Sequence, residues 1–269
     1  MTLVLRAPDG ATAVVHPHGA HVTSWRPMPD GDERLFLSEC SHFGGGAAIR
    51  GGIPIIFPQF ATEGPLPRHG FARTSLWELA SESVEGDGAH AAFQLAASDA
   101  TRAIWPAEFL AQFDIRVTAN ELEVALSVEN TGHAPFTFTA ALHTYLRVRD
   151  IVRVEVTGLE GVRYRESSAP SRLIPDTDYT LRIRGEIDRV YVDAPQRVLI
   201  REPERDLALL SDGFPDVVIW NPGAERAAKL EDMEPGGERH MLCVEAAAVQ
   251  IPVVVEPGAR WSGSQVLIA

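Results

Sequence analysis

Apolar and polar residues alternate along short segments of this chain, and no other feature limits its fold so narrowly. Residues 121–129 read Glu-Leu-Glu-Val-Ala-Leu-Ser-Val-Glu, which places Leu122, Val124, Leu126 and Val128 on one face of a strand. Mainly polar or small residues lie on the other face. The same pattern, bounded by Gly, Pro or Asn, predicts further short strands at residues 152–156, 196–200, 216–220, 241–244 and 250–255.

Helical periodicity does not extend beyond a turn or two anywhere in the chain. The 22 glycines and 19 prolines are spread along its whole length, which suits many tight turns between short strands. No linker, repeat or low-complexity segment marks a boundary, and sandwiches of this length commonly form one domain. We therefore predict an all-β sandwich that folds as a single domain over residues 1–269.

The charge balance limits the partners of this protein. Its 24 Lys and Arg residues against 37 Asp and Glu residues give a net charge of −13, which disfavours binding to nucleic acid or to anionic membranes. No apolar run is long enough to span a bilayer, and the start of the chain shows no secretory signal. The two cysteines, Cys40 and Cys243, form neither a disulfide framework nor a zinc motif. We expect a cytoplasmic protein, with monomer as the default state.

Three arginines lie near glycines within a span of 24 positions: Arg50, Arg68 and Arg73. A guanidinium presents a planar fork of donors that matches phosphate oxygens, so the three could form an anion pocket. The net charge of −13 does not argue against an anion pocket, because charges more than about 8 Å away are screened at physiological salt. The alternative is that these arginines pair with surface acids such as Glu63 and Glu78.

His143 and Glu245 are the two candidates for acid–base chemistry. His143 lies in an apolar and aromatic run, where a strand would place it on one face with Ala141 and Tyr145. Glu245 lies between Met-Leu-Cys-Val and Ala-Ala-Ala-Val, and burial there would raise its pKa toward a useful range for a base. The alternatives are a core histidine bonded to a carbonyl, and a strand that turns Glu245 to solvent.

Other polar groups carry less weight. The cluster of His16, His18 and His21 is interpreted as a surface turn rather than a metal site. Residues 231–234, Glu-Asp-Met-Glu, are interpreted as a solvated acidic turn.

Six motifs occur in a fixed order and together resemble a known family. They are Arg-Gly-Gly-Ile-Pro at 50–54, His-Gly-Phe-Ala-Arg at 69–73, Leu-His-Thr-Tyr at 142–145, Asp-Arg-Val-Tyr at 188–191, Val-Ile-Trp-Asn-Pro at 218–222 and Cys-Val-Glu at 243–245. The chain resembles the hexose-6-phosphate mutarotases, or glucose-6-phosphate 1-epimerases, of the aldose 1-epimerase superfamily. The resemblance implies a galactose-mutarotase-like β-supersandwich, with no metal and no organic cofactor.

The resemblance also implies roles for individual residues. His143 matches the general acid of the family and Glu245 its general base. The substrate-binding positions that it implies, with Arg68 added where relatives often carry Gln, are Arg50, Arg68, His69, Arg73 and Asp188. The small-molecule partner would be a sugar phosphate, and glucose 6-phosphate is the leading candidate.

Three other functions remain open from the sequence. The protein could be a mutarotase of unphosphorylated aldoses. Asp188 and Glu245 could be offered as the two carboxylates of a glycosidase, although His143 would then have no role. A sugar-phosphate binding protein without catalysis is the third alternative.

Overall fold

The computed structural model describes residues 2–28, 31–44 and 46–269. Within these ranges the strands are β1 (Leu3–Arg6), β2 (Thr12–His16), β3 (His21–Arg26), β4 (Ile55–Ile56), β5 (Glu78–Glu85), β6 (Gly88–Ala96), β7 (Phe109–Val117), β8 (Glu121–Asn130), β9 (Phe136–Leu142), β10 (Tyr145–Arg147), β11 (Glu155–Thr157), β12 (Arg163–Glu166), β13 (Ile174–Pro175), β14 (Leu181–Arg182), β15 (Ile187–Val192), β16 (Arg197–Glu202), β17 (Arg205–Asp212), β18 (Asp216–Asn221), β19 (Met241–Val255) and β20 (Arg260–Ile268).

The helices are short. Over the same ranges, α1 and α2 cover Asp99–Ile104 and Gly223–Ala227, and single 3-10 turns cover Ala72–Thr74, Ile151–Arg153 and Gly237–His240. None of the helices in the described part of the chain is long and apolar enough to cross a membrane.

Two large antiparallel sheets dominate the architecture. One has nine strands in the order β14-β11-β16-β17-β20-β8-β7-β6-β5. The other has eight, in the order β13-β12-β15-β18-β19-β9-β4 with β10 also paired to β19, while β1, β2 and β3 form a smaller sheet. The predicted strand at 121–129 is confirmed as β8, and its four inward leucines and valines are fully buried. They belong to one apolar core with Val244 and Ala246 of β19, so the predicted all-β sandwich is confirmed.

Two strand predictions are wrong in detail. Residues 151–153 form a 3-10 turn before β11, because Ile151 and Val154 are buried at a spacing of three while Val152 is 60% exposed. The segments predicted separately at 241–244 and 250–255 form the single strand β19, whose pairing with β9 shifts register between Ala248 and Val253.

The face of the eight-stranded sheet that points away from the main core carries two smaller apolar clusters. The lower cluster consists of Phe36, Tyr145, Trp220, Ala227, Met233, Met241 and Cys243. The upper cluster consists of Ile56, Phe60, Ala141, Val190, Val218, Ala247 and Val249. A large cavity opens over this face, with one apolar cluster on each side of Glu245.

Candidate active site

Sheet register brings residues from four strands into one row on the outer face. Asp188 of β15 lies opposite Trp220 of β18, Trp220 lies opposite Cys243 of β19, and Cys243 lies opposite Tyr145 of β10. Glu245 is two residues beyond Cys243 and therefore points to the same side of the sheet. Residues that are 100 positions apart in the chain thus share one surface.

His143 and Glu245 form a contact at the bottom of the cavity. The imidazole Nε2 lies 3.3 Å from Glu245 Oε1. The Glu245 side chain is 1% exposed and that of His143 is 11% exposed. Among the described residues, Glu245 Oε2 and His143 Nδ1 have no hydrogen-bond partner. A buried carboxylate and imidazole in contact, each with an unused polar atom, form a pair that can exchange protons with a third group.

Burial favours the neutral form of both members of this pair. It raises the pKa of Glu245 well above its ordinary value, and Asp188 adds to the rise while Arg73 opposes it. It lowers the pKa of His143 well below its ordinary value, and the charges of Arg73 and Arg50 add to the fall. The predicted burial of Glu245 and the predicted direction of its pKa are therefore confirmed.

Aromatic rings fix the orientation of the His143 imidazole. The ring stacks on Tyr145, with centroids 4.8 Å apart and planes at 12°. The edges of His69 and Trp220 meet it at centroid distances of 5.8 and 5.9 Å. His143 lies between β9 and β10 rather than inside a strand, and its backbone N–H donates to Pro54 O at 3.0 Å.

Thr144 secures the same segment from the core side. Its hydroxyl donates to Gln265 Oε1 of β20 at 2.5 Å, and Gln265 Nε2 donates to Val244 O at 3.2 Å. His143 is therefore held on one side by aromatic packing and on the other by a buried hydrogen-bond bridge between the two large sheets.

The cavity has a volume of about 930 Å³ and contains all seven predicted site residues in its wall. These are Arg50, Arg68, His69, Arg73, His143, Asp188 and Glu245. Sequence reasoning missed Tyr145, Trp220 and Arg226, which line it too. Tyr145 and Trp220 lie inside the quoted motifs and could have been found from them, whereas no sequence signal points to Arg226.

The three arginines have different surroundings. Arg73 is half-buried, donates from Nη2 to Arg68 O at 3.2 Å, and has a buried Nε without a partner among the described residues. Burial lowers the pKa of Arg73 to about 10, and Arg50 and Arg68 contribute, so Arg73 still carries its charge at neutral pH. Arg68 is exposed, whereas Arg50 contacts Asp232. Both Arg50 and Arg73 therefore keep a positive charge beside the acid–base pair.

Asp188 also lines the cavity and is held by two neighbours. Ser167 Oγ donates to Asp188 Oδ1 at 2.5 Å, and Arg226 Nη1 lies 3.9 Å from Oδ2. Arg226 also donates to Glu186 Oε1 at 2.7 Å. Burial raises the pKa of Asp188, whereas Ser167, Arg226 and Arg68 oppose the rise. The cavity wall thus carries a carboxylate acceptor as well as the arginines.

The loop at 59–70 carries Arg68 and His69 over the cavity. Gln59 closes it from inside, accepting from Leu66 N and donating to Leu66 O, both at 2.9 Å. Gly70 ends the loop with φ +67°, and a Cβ there would lie 2.1 Å from Phe57 O. Glycine is needed at this position because the backbone of the loop rests directly on that of Phe57.

Three expectations about other polar groups are wrong. The residues at 231–234 are not a solvated turn, because Asp232 binds Arg50 and Met233 belongs to the lower apolar cluster. The histidines at 16–21 are not a surface cluster, since His21 is fully buried and its Nε2 donates to Gly51 O at 2.7 Å. Glu63 does not pair with the three arginines but with Arg165.

Over residues 2–28, 31–44 and 46–269, no group of three or more His, Cys, Asp and Glu side chains is arranged to hold a metal ion.

The fold, two large sheets with a cavity over one of them, is of the galactose-mutarotase-like class. The family model that describes aldose 1-epimerases matches residues 1–267. The chain therefore belongs to the aldose 1-epimerase family, and the predicted galactose-mutarotase-like fold is confirmed.

Similarities to individual proteins support this family assignment. A protein of Cenchrus ciliaris named "Putative glucose-6-phosphate 1-epimerase" is 35% identical over 279 residues, covering 99% of this chain and 84% of the relative. A protein of the same name from Escherichia coli K12 is 35% identical over 235 residues, covering 85% of this chain and 77% of the relative. The crystal structure of a "putative mutarotase" from Salmonella typhimurium superposes with a TM-score of 0.91 at 30% identity, covering 99% of this chain and 89% of that one.

Proposed function

We propose that this protein interconverts the α and β anomers of a hexose 6-phosphate, with glucose 6-phosphate as the leading candidate. The observation that carries the proposal is the presence of Arg50, Arg68 and Arg73 in the wall of the cavity that contains His143 and Glu245. The charges of Arg50 and Arg68 both lower the pKa of Arg73, after burial as the main cause, so the three guanidiniums lie near one another in a protein whose net charge is −13. The names of the relatives support the same substrate.

Anomer exchange needs two proton transfers, and the pair supplies one group for each. Glu245 removes the proton of the C1 hydroxyl and His143 protonates the ring oxygen. The ring opens to the aldehyde, the C1 end rotates, and closure reverses both transfers. Each transfer by a positioned group accounts for about 10²–10⁴-fold of the rate. The reaction has no net proton or redox change, so the two side chains complete the cycle.

The phosphate contributes to catalysis as well as to binding. Burial lowers the pKa of His143, and the charges of Arg73, Arg50 and Arg68 lower it further. A phosphate dianion bound to the arginines offsets these charges and so raises the pKa of the imidazole. Substrate binding therefore favours the protonated His143 that donates to the ring oxygen.

Asp188 and His69 complete the binding site in this proposal. Asp188 offers a carboxylate fixed by Ser167 and Arg226, which suits the recognition of a sugar hydroxyl. Burial and the neighbouring Arg73 lower the pKa of His69, so this ring stays neutral beside the sugar.

The proposal is tested by anomer exchange measured with magnetisation-transfer NMR, using glucose 6-phosphate and glucose in parallel. We expect faster exchange of the phosphate. Faster exchange of glucose alone would assign the protein to free aldoses. Binding of glucose 6-phosphate without faster exchange of either sugar would instead indicate a binding protein.

Arg73→Ala separates phosphate recognition from catalysis. We expect KM for glucose 6-phosphate to rise about 10²-fold, since a lost charge-assisted contact costs about 1.5–3 kcal/mol. KM for glucose should change little. Arg153→Ala is the control, because it removes an exposed guanidinium that does not line the cavity. An equal effect of Arg73→Ala on both sugars would contradict the phosphate assignment.

A further inference from the structure

Asp232 lies 182 positions from Arg50 in sequence and yet binds it through two oxygens. Arg50 Nε donates to Asp232 Oδ1 at 3.1 Å, and Nη2 lies 3.1 Å from Oδ2. This is the fork-to-fork geometry in which a guanidinium recognises a planar anion. The Nε–Nη2 edge that Arg50 could offer to a phosphate is therefore already occupied by a carboxylate of the chain itself.

The remaining terminal nitrogen of Arg50 leads to the acid–base pair. Nη1 donates to the Tyr145 hydroxyl at 2.9 Å. The ring of Tyr145 stacks on the imidazole of His143 at a centroid distance of 4.8 Å, and His143 contacts Glu245 at 3.3 Å. A hydroxyl held at the end of the ring fixes where the ring lies, and the face of Tyr145 is the surface against which His143 rests.

Asp232 is itself held on both sides. Met233 is buried in the lower apolar cluster with Tyr145 and Trp220. The carboxylate of Glu234 accepts from Ser38 Oγ at 2.5 Å and from Glu39 N at 3.1 Å. The side chains of Arg50 and Asp232 are 21% and 26% exposed, so their ion pair is shielded from much of the solvent.

We propose that Asp232, Arg50 and Tyr145 form a positioning chain that sets the orientation of His143 for proton transfer to the sugar. Arg50 is then a positioning residue whose charge also contributes to the anion pocket, while Arg73, with its unpaired buried Nε, is the residue with donors free for the phosphate. This inference rests on the proposed role of His143 in proton transfer, whichever aldose is the substrate.

The test is the division of effects between kcat and KM, measured with whichever sugar the wild-type protein turns over faster. Asp232→Asn and Tyr145→Phe should each lower kcat about tenfold and leave KM within about twofold. Asp232→Glu should restore most of kcat because it keeps the carboxylate. Glu231→Gln, an exposed neighbour with the same change of charge, is the matched control and should leave both constants unchanged.

A double-mutant cycle decides whether the residues act as one chain. The Asp232→Asn/Tyr145→Phe protein should be no slower than the slower single variant, because either change breaks the same connection. Fully additive losses would overturn the proposal. So would a higher KM for the phosphate with unchanged kcat, which would make Arg50 and Asp232 part of substrate binding alone. Thermal unfolding of each variant confirms that the kinetics report folded protein.

The proposed function and this inference fail in different ways. If wild-type protein accelerates glucose and not glucose 6-phosphate, the substrate assignment fails, and the kcat pattern can still be measured with glucose. If glucose 6-phosphate is the substrate and Tyr145→Phe has the wild-type kcat, the positioning chain fails and the substrate assignment stands.

Discussion

At the residue scale, Glu245 shows how catalysis and stability oppose each other at one position. Its carboxylate lies between two apolar clusters, and one of its oxygens has no partner among the described residues. Desolvating a charge without pairing it is costly, which is why the pKa of this group is raised. A base with a raised pKa suits proton transfer near neutral pH.

We therefore predict that Glu245→Gln is less active and more stable. Activity should fall by about 10²–10⁴-fold, as expected for the loss of a general base. The free energy of unfolding at pH 7 should rise by about 1.4 kcal/mol for each unit by which folding raises the pKa. Anomer exchange and thermal unfolding of the same preparation measure the two effects. Wild-type activity in this variant would remove Glu245 from the mechanism.

The pH dependence of that stability difference has a definite sign. The folded protein binds the Glu245 proton more tightly than the unfolded chain does, so wild-type stability attributable to this group falls as pH rises from the unfolded pKa of about 4.5 toward the raised folded pKa. The advantage of Glu245→Gln should therefore be small at pH 4 and should grow as the pH rises above the unfolded pKa. His143→Asn serves as a catalytic control, since it should lower activity without following this pH trend.

At the element scale, one ion pair ties the loop at 59–70 to the eight-stranded sheet. Both guanidinium ends of Arg165, on β12, donate to Glu63 at 2.9 Å, and its Nε donates to Gln250 of β19 at 3.0 Å. Arg165 is 3% exposed and Glu63 is 33% exposed. The loop that carries Arg68 and His69 is thereby tied to the far side of the eight-stranded sheet.

Glu63→Gln tests this tether. We expect a loss of about 1–2 kcal/mol in stability, below the range for a fully buried pair because Glu63 is partly exposed. KM for glucose 6-phosphate should rise several-fold with kcat nearly constant, because Arg68 is displaced while His143 and Glu245 are not. Glu166→Gln is the matched control, since Glu166 lines the same cavity but pairs with Arg189. Equal changes in both variants would argue against a role of the loop.

At the scale of the whole molecule, the positive charge of a few arginines in the cavity contrasts with the negative net charge of the protein. The protein carries −13 overall, yet Arg50, Arg68 and Arg73 line one cavity. Because interactions beyond about 8 Å are screened at physiological salt, the local cluster controls affinity while the acidic surface controls the long-range field.

This predicts that glucose 6-phosphate stabilises the folded molecule. A ligand that binds only the native state adds about 2.7 kcal/mol at 100 times its Kd. For a chain of this size we expect Tm to rise by about 5–10 °C, at about 2–4 °C per kcal/mol. Glucose at the same concentration should have a smaller effect, and Arg73→Ala should remove most of the shift. A shift retained in Arg73→Ala would place the anion elsewhere.

Local pattern was sufficient for several features of the fold and site. Alternation at 121–129 predicts β8, since every second residue of a half-buried strand must be apolar. The apolar run at 241–249 favours a buried Glu245 with a raised pKa but leaves open a strand that turns this face to solvent, and the structure decides for burial. The resemblance of six motifs adds the family, its fold and the seven residues that line the cavity.

Only the tertiary structure decides which groups meet across the chain. Asp232 with Arg50, Arg226 with Asp188 and Arg165 with Glu63 are each brought together by sheet register and loop packing. The segment at 231–234 shows the difference, since a run of acids has the composition of a solvated turn until Met233 is seen to enter an apolar cluster. Alternation determines which side of a strand is buried, but the energy of long-range pairing determines which strand lies beside it, and the functions of charged residues depend on that second choice.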